Sequence, residues 1–186
     1  MRTIHGGGAA YHQAVEYNRA SSTYQGVKMT DQARQIATRH GEQLMAYPNQ
    51  AEAEAAWFSF RDDHLARLQK AAAKQTVFIP NYQAESLKQL ERWYFELYAG
   101  NSFQTLELSR EDFEICMAMY FGETSVRSAN AGWVVKEYFL GAGKYELGIC
   151  KGSITMMLRR FSDHYRQANN KRQQSLFRMY RKYFSR

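Results

Sequence analysis

Residues 116–135 read CMAMYFGETSVRSANAGWVV, and within them the chain changes from a helical to a strand-like pattern. An apolar run ends at Phe121, a Gly-Glu pair and a polar segment follow, and Trp133 begins an extended, β-branched segment. Glu123 shares a helical face with Tyr120, and a carboxylate buried there would need hydrogen-bond partners. The stretch therefore predicts a joint at which a core helix gives way to a β-hairpin.

The segments on either side of this joint support the change of pattern. Upstream, Ser109 followed by Asp112 is a variant of the capping box that starts a helix. Downstream, GWVVKEYFL and KYELGIC are rich in β-branched and aromatic residues, and the short Gly-rich segment 141–144 separates them. These features predict a helix that is followed by one β-hairpin near residues 133–149.

Most of the remaining chain has the periodicity of amphipathic helices, with apolar residues recurring every three or four positions. Such helices are predicted from a Thr30 or Asp31 cap to a residue before Pro48, over residues 50–74, from an Asn81 cap to Gly100, after a Ser153 cap, and around Leu176–Phe184. We therefore predict an α+β fold that is predominantly helical, with five or six helices and the one hairpin.

The domain organisation follows from composition. Residues 1–29 contain a Gly triplet and scattered Tyr, and we predict a flexible or weakly structured N-terminal arm there. Residues 30–186 are predicted to form a single mostly helical domain with a basic C-terminal helix.

Two cysteines do not make a disulfide framework, and no apolar run approaches the length of about 20 residues that spans a membrane. We expect a cytoplasmic protein without a transmembrane segment.

Positive charge is concentrated at the C-terminal end. The chain carries a net charge of +7, and residues 159–186 hold nine basic residues against Asp163 alone. Basic residues interleaved with aromatics can bind nucleic acid or another anionic surface. The candidate residues are Arg159, Arg160, Lys171, Arg172, Arg178, Arg181 and Lys182. The interpretation that we favour is a helix that docks its aromatic stripe on the body and keeps its charges in water.

Glu123 is the first candidate for chemistry. In the structural interpretation it accepts hydrogen bonds from Arg127, four residues on, and from the indole N–H of Trp133. These three residues would then form a structural pin between helix and hairpin. A catalytic role needs a second acid or base, for which Glu137 and Glu146 are the nearest candidates. We favour the structural pin, because buried ion pairs are common outside active sites.

Cys150 is the second candidate, as a reactive thiol. It precedes Lys151 and lies close to the helix predicted after Ser153, and both features favour a thiolate. The alternative, which we favour, is a small buried apolar side chain.

Asp62-Asp63-His64 offers atoms that could bind a metal, but neighbouring helical residues point in different directions. The sequence thus predicts neither a metal site nor a cofactor.

The motif at the joint also carries a resemblance. Tyr120-Phe121-Gly122-Glu123, followed by Gly132-Trp133 and a strand, resembles the Y-x-G-E…W pattern of small uncharacterised bacterial proteins over about residues 109–165. Some of these look like immunity or contact-dependent interaction proteins. The resemblance implies action through protein contact, and it transfers no catalytic residue.

Three functions remain open from the sequence. The first, which we favour, is a non-enzymatic bacterial protein that acts by protein–protein interaction, in an immunity-like role; the chain's 13 Tyr and 11 Phe suit recognition surfaces. The second is a module that binds nucleic acid or an anionic surface through the basic C-terminal helices. The third is an enzyme that uses Glu123 or Cys150.

Overall fold

The computed structural model describes residues 30–158 and 174–185, and within them it contains five α-helices and a three-stranded antiparallel sheet. The helices are α1 (Asp31–Glu42), α2 (Gln50–Ala72), α3 (Ser86–Gly100), α4 (Arg110–Ala129) and α5 (Ser175–Tyr183), with a short 3-10 helix at Phe103–Leu106. The strands are β1 (Gly132–Glu137), β2 (Tyr145–Lys151) and β3 (Ile154–Met157), in the order β1-β2-β3. The predicted α+β, predominantly helical class is confirmed.

Helix α4 is the centre of the fold. It begins where the sequence predicts, because Ser109 Oγ accepts from Asp112 N at 3.0 Å and Ser109 N donates to Asp112 Oδ2 at 3.3 Å. The side chains of Phe113, Met117 and Phe121 are completely buried. The helix contacts α2, α3, α5 and both β1 and β2. Helices α2, α3 and α5 and the first two strands therefore pack around α4.

The end of α4 lies later than the sequence pattern indicates. The helix runs through the polar segment to Ala129, and Asn130 ends it in a left-handed conformation with φ 56°. Asn tolerates this conformation at helix ends better than most residues. Glu123 consequently lies more than one turn inside α4, not at its end.

The predicted helix after Ser153 is wrong over residues 154–157, which form β3. Strand β3 pairs with β2 in the register Lys151↔Ile154 to Gly148↔Met157, so that only Gly152 and Ser153 connect the two strands. Gly152 has φ 56°, the left-handed backbone that such tight turns need and that glycine adopts at low cost. The predicted hairpin is therefore part of a three-stranded meander.

Helix α3 also begins later than predicted. Asn81 Oδ1 accepts from Gln83 N at 3.0 Å, which makes a local turn in place of a helix cap. Tyr82 has φ 56°, a left-handed conformation that cannot continue a right-handed helix. The helix accordingly starts only at Ser86.

Helix α5 docks onto the body through its apolar side. Leu176 and Phe184 are completely buried, and Tyr180 is nearly so. At its first residue, Ser175 N donates to Glu91 Oε1 of α3 at 3.0 Å. At its far end, Lys151 Nζ of β2 donates to Phe184 O at 2.6 Å. Both ends of α5 are thus bonded to other elements of the fold.

Some predicted features lie outside the described residues. These are the arm at residues 1–29, the continuation of the predicted helix beyond residue 158, and Arg159, Arg160, Lys171 and Arg172. Among the helices of the described ranges, none has the length and apolar character needed to cross a bilayer.

Candidate functional site

Glu123 connects α4 to the start of β1. Its Oε1 accepts from Arg127 Nε at 2.6 Å, and its Oε2 accepts from Trp133 Nε1 at 2.9 Å. The carboxylate side chain is only 14% exposed, whereas that of Arg127 is 55% exposed. One carboxylate therefore serves a surface guanidinium and a half-buried indole at the same time.

Arg127 continues this arrangement toward α3. Its guanidinium lies 3.9 Å from the centre of the Tyr82 ring, and the Tyr82 ring stacks on Tyr120 at 4.9 Å. The Tyr120 hydroxyl accepts from Tyr82 N at 2.9 Å and lies 2.7 Å from Ser86 Oγ. Burial raises the pKa of Tyr120, so this hydroxyl stays protonated and serves as a hydrogen-bonding group.

Gly122 provides the space in which Trp133 packs. A Cβ atom at this position would lie 2.7 Å from Leu158 Cδ1 and still closer to Trp133 Cη2. Nonbonded carbon atoms normally stand about 3.5–4.0 Å apart. The indole can therefore rest on α4 only because residue 122 has no side chain. Tyr120, Gly122, Glu123 and Trp133, the four residues of the sequence pattern, all belong to one packing unit.

We expect Glu123→Gln to lower the free energy of unfolding by about 1 kcal/mol. An amide offers one acceptor oxygen where the carboxylate offers two, so an N–H group of the new side chain would face either Arg127 or Trp133. Urea denaturation, followed by indole fluorescence, measures the loss. Glu96→Gln on the exposed side of α3 is the matched control and should leave the transition unchanged. A Glu123→Gln variant as stable as the parent would contradict the structural pin.

The exposed side of α5 carries the basic residues that the structure describes. Arg178, Arg181 and Lys182 are exposed, and they line an open depression of about 630 Å³ together with Gln174, Phe177 and Ser185. We call Arg178, Arg181 and Lys182 the basic face. Its cations stand on a helix whose opposite side is fixed to the core, so they form a supported, positively charged surface.

The aromatic residues of α5 are already engaged by the protein. Tyr180 and Phe184, the residue that follows α5, are buried, and the centres of the Phe184 and Phe121 rings lie 5.9 Å apart. The ring of Phe177 is covered by Lys88 Nζ at 3.9 Å, and Lys182 Nζ lies 4.8 Å from the Tyr183 ring. This arrangement leaves charge, and little open aromatic surface, on the outside of α5.

A second depression, of about 490 Å³, lies beside the basic face. It is formed where the last turn of α4 meets the last turn of α5, and Arg127 and Lys151 contribute cations to its lining. Ser185 lines both depressions, which makes them neighbours. Arg127 and the basic face, two separate features of the sequence, thus lie on adjoining parts of one surface.

The candidates for enzymatic chemistry are not brought together. Glu137 Oε1 accepts from Gly143 N at 2.8 Å in the β1–β2 turn, and Glu146 lies 2.5 Å from His40 Nε2 of α1. Each therefore has a contact of its own away from Glu123. No group of three or more His, Cys, Asp or Glu side chains in the described ranges is arranged to hold a metal ion.

Neither cysteine is placed for thiolate chemistry. Cys150 is half-buried on β2, where it pairs with Thr155 of β3. The predicted helix start that would activate it is absent, since β3 occupies that segment. Burial raises the pKa of the Cys116 thiol to about 12, so Cys116 remains an uncharged part of the core.

The sequence did not indicate two carboxylates that are fully buried in the structure, those of Glu91 and Glu114. Glu114 Oε1 accepts from Tyr94 OH and from Arg110 Nε, each at 2.8 Å, and Glu91 accepts from the first N–H of α5. Both lie on helices that look amphipathic, among apolar neighbours. Only the Arg110–Glu114 spacing of four residues is a local signal, since the other partners come from distant parts of the chain.

Comparison with known proteins places the chain in a family. A family model described as "Uncharacterised protein YwmA" matches residues 46–184. The chain belongs to this family. The uncharacterized protein YwmA of Bacillus subtilis (strain 168) is 29% identical over 111 residues, which are 59% of this chain and 70% of the relative. No solved structure matches the chain.

The match to the YwmA family confirms the predicted resemblance to uncharacterised bacterial proteins. It is also wider than the predicted resemblance, because it reaches from the residues before α2 to the end of α5. The helix that carries the basic face therefore lies within the family's extent.

Proposed function

We propose that the protein is a non-enzymatic binding protein, and that the basic face contacts an acidic surface of a partner protein. The observation that carries this proposal is the division of α5 into two sides. Its apolar side is buried against α3 and α4, while Arg178, Arg181 and Lys182 remain exposed on the other side. Charges fixed on a docked helix lose less conformational freedom on binding than charges on an unsupported segment.

A partner protein fits this surface better than a nucleic acid does. Single-stranded nucleic acid is commonly bound by stacking bases on exposed aromatic rings between basic groups. The α5 rings that could serve are buried or covered by the protein's own lysines. What remains is an array of charges, which suits acidic side chains and adds mainly to the rate and specificity of association.

An immunity-like role is the specific form of this proposal, in which the partner is a toxin with an acidic contact surface. The resemblance noted for residues 109–165 is its support, and membership of the YwmA family leaves it open.

Binding of nucleic acid or an anionic membrane surface is the second candidate function. It draws on the same cations, so the experiment must separate the two.

The test compares two variants with the same change of charge. Arg181→Glu with Lys182→Glu reverses two cations of the basic face, and Arg34→Glu with Arg39→Glu reverses two exposed cations of α1. The full chain and both variants are used to capture partners from nuclease-treated extract of the native host. We expect a captured acidic protein to bind the basic-face variant at least tenfold more weakly, and the α1 variant as well as the parent.

Other outcomes overturn the proposal. Equal loss of binding in both variants would show that net charge, and not the basic face, determines the affinity. Binding to nucleic acid or to vesicles with anionic lipid, weakened only in the basic-face variant and with no protein partner recovered, would favour the second candidate.

A further inference from the structure

Arg127 is held in place on two sides, and within the part of the chain that the structure describes only its Nε donates a hydrogen bond. Its Nε donates to Glu123 Oε1, and its guanidinium plane lies over the Tyr82 ring. Glu123 accepts one bond from the guanidinium and one from Trp133 Nε1, so its two oxygens do not form a two-bond fork with Arg127. A guanidinium has five N–H donors, and more than half of this side chain is exposed.

The surface beside Arg127 is the 490 Å³ depression between the ends of α4 and α5. Both are C-terminal helix ends, whose last carbonyl groups carry partial negative charge. Lys151 offsets this charge at α5, where its Nζ donates to Phe184 O at 2.6 Å. Among the described residues that line the depression there is no carboxylate. Lys151 and Arg127 are the two cations of this lining, and Arg127 is paired with Glu123, which does not line the depression.

We propose that this depression binds one oxyanion group, a carboxylate or a phosphate, through the guanidinium of Arg127 with the charge of Lys151 beside it. A planar guanidinium matches the two oxygens of such a group, which an ammonium cannot do. Where the group belongs to a partner, this inference rests on the proposed function and names the contact that orients the partner next to the basic face. Binding of a free oxyanion does not depend on that function.

The experiment titrates inorganic phosphate and, separately, acetate into the isotope-labelled full chain and follows backbone amide shifts by NMR. We expect saturable shifts at residues 126–130 and 151. Arg127→Gln should weaken binding at least tenfold, and Arg127→Lys, which keeps the charge and loses the planar fork, should weaken it less. Arg34→Gln removes an exposed cation of α1 that lines neither depression, so it should bind like the parent.

The outcomes separate this site from general attraction to a basic protein. Equal weakening by Arg127→Gln and Arg34→Gln, or shifts that never saturate with either ion, would overturn the proposal. Unchanged chemical shifts for α2 and β3 in Arg127→Gln would show that this variant is folded, so that its loss of binding can be interpreted. Saturation by phosphate alone would assign a phosphoryl group, and saturation by both ions would assign acidic side chains as well.

The two proposals can fail independently. Normal phosphate binding, together with no effect of the Arg181→Glu and Lys182→Glu reversal on a partner, would remove the proposed function and leave the oxyanion site. The opposite pair of results would remove the oxyanion site and leave the basic face.

Discussion

Gly122→Ala should lower the free energy of unfolding by about 2 kcal/mol. Helix propensity alone favours Ala over Gly by about 1 kcal/mol inside a helix, so a reading of α4 by itself predicts the opposite sign. The added methyl group would lie too close to Leu158 and Trp133, and overpacking of this kind costs about 3 kcal/mol. Leu158 is completely buried, so the indole must move, and this movement strains its hydrogen bond to Glu123.

Gly132→Ala is the matched control for this prediction. A Cβ at residue 132 would have Cys150 Sγ as its nearest neighbour, at the ordinary distance of 3.8 Å. Its stability should change by less than about 0.5 kcal/mol. Urea denaturation of both variants, followed by circular dichroism and indole fluorescence, makes the comparison. If Gly122→Ala were as stable as Gly132→Ala, the close packing of Trp133 on α4 would be refuted.

Glu114→Ala should lower the free energy of unfolding by about 3 kcal/mol, the largest loss of stability that we expect from a single substitution. The carboxylate is completely buried between α3 and α4 and accepts from both Tyr94 OH and Arg110 Nε. Burial and the adjacent carboxylate raise the pKa of Tyr94 well above its usual range, so this hydroxyl acts as a donor. Removing Glu114 takes away its acceptor at 2.8 Å and leaves a cavity.

A double-mutant cycle separates the hydrogen bond from the cavity. Glu114→Ala should cost at least about 0.5 kcal/mol less in a Tyr94→Phe background than in the parent, because the hydroxyl is then absent. Glu96→Ala on the exposed side of α3 controls for loss of a glutamate. Strict additivity of Glu114→Ala and Tyr94→Phe would mean that the carboxylate stabilises the core without this hydroxyl.

Local signals explain how much of the fold could be predicted. The capping box of Ser109 and Asp112 involves neighbours in the sequence, and α4 begins at that position. The segment after Lys151 is compatible with two local structures, a Ser153 helix cap and a Gly152-Ser153 turn. Pairing with β2 decides in favour of the turn. The sequence of residues 154–157 alone does not show that β2 lies beside this segment.

The candidate surface was predictable only in part. The spacing of Glu123 and Arg127 is a local helical signal, and the two side chains are in contact. The Tyr82 ring under Arg127 comes from the loop before α3, and the depression comes from the meeting of α4 with α5. These contacts depend on tertiary packing, so the sequence pattern presented the pin and the basic end as unrelated features.

The bond between Glu91 and Ser175 has a consequence for the order in which the chain folds. A helix of nine residues is too short to persist in water by itself, and its first N–H is satisfied by a carboxylate from 84 residues earlier. During synthesis, α3 and α4 leave the ribosome well before α5 does. The basic face therefore takes shape after α3 and α4, and a chain that stalls before this step lacks this surface.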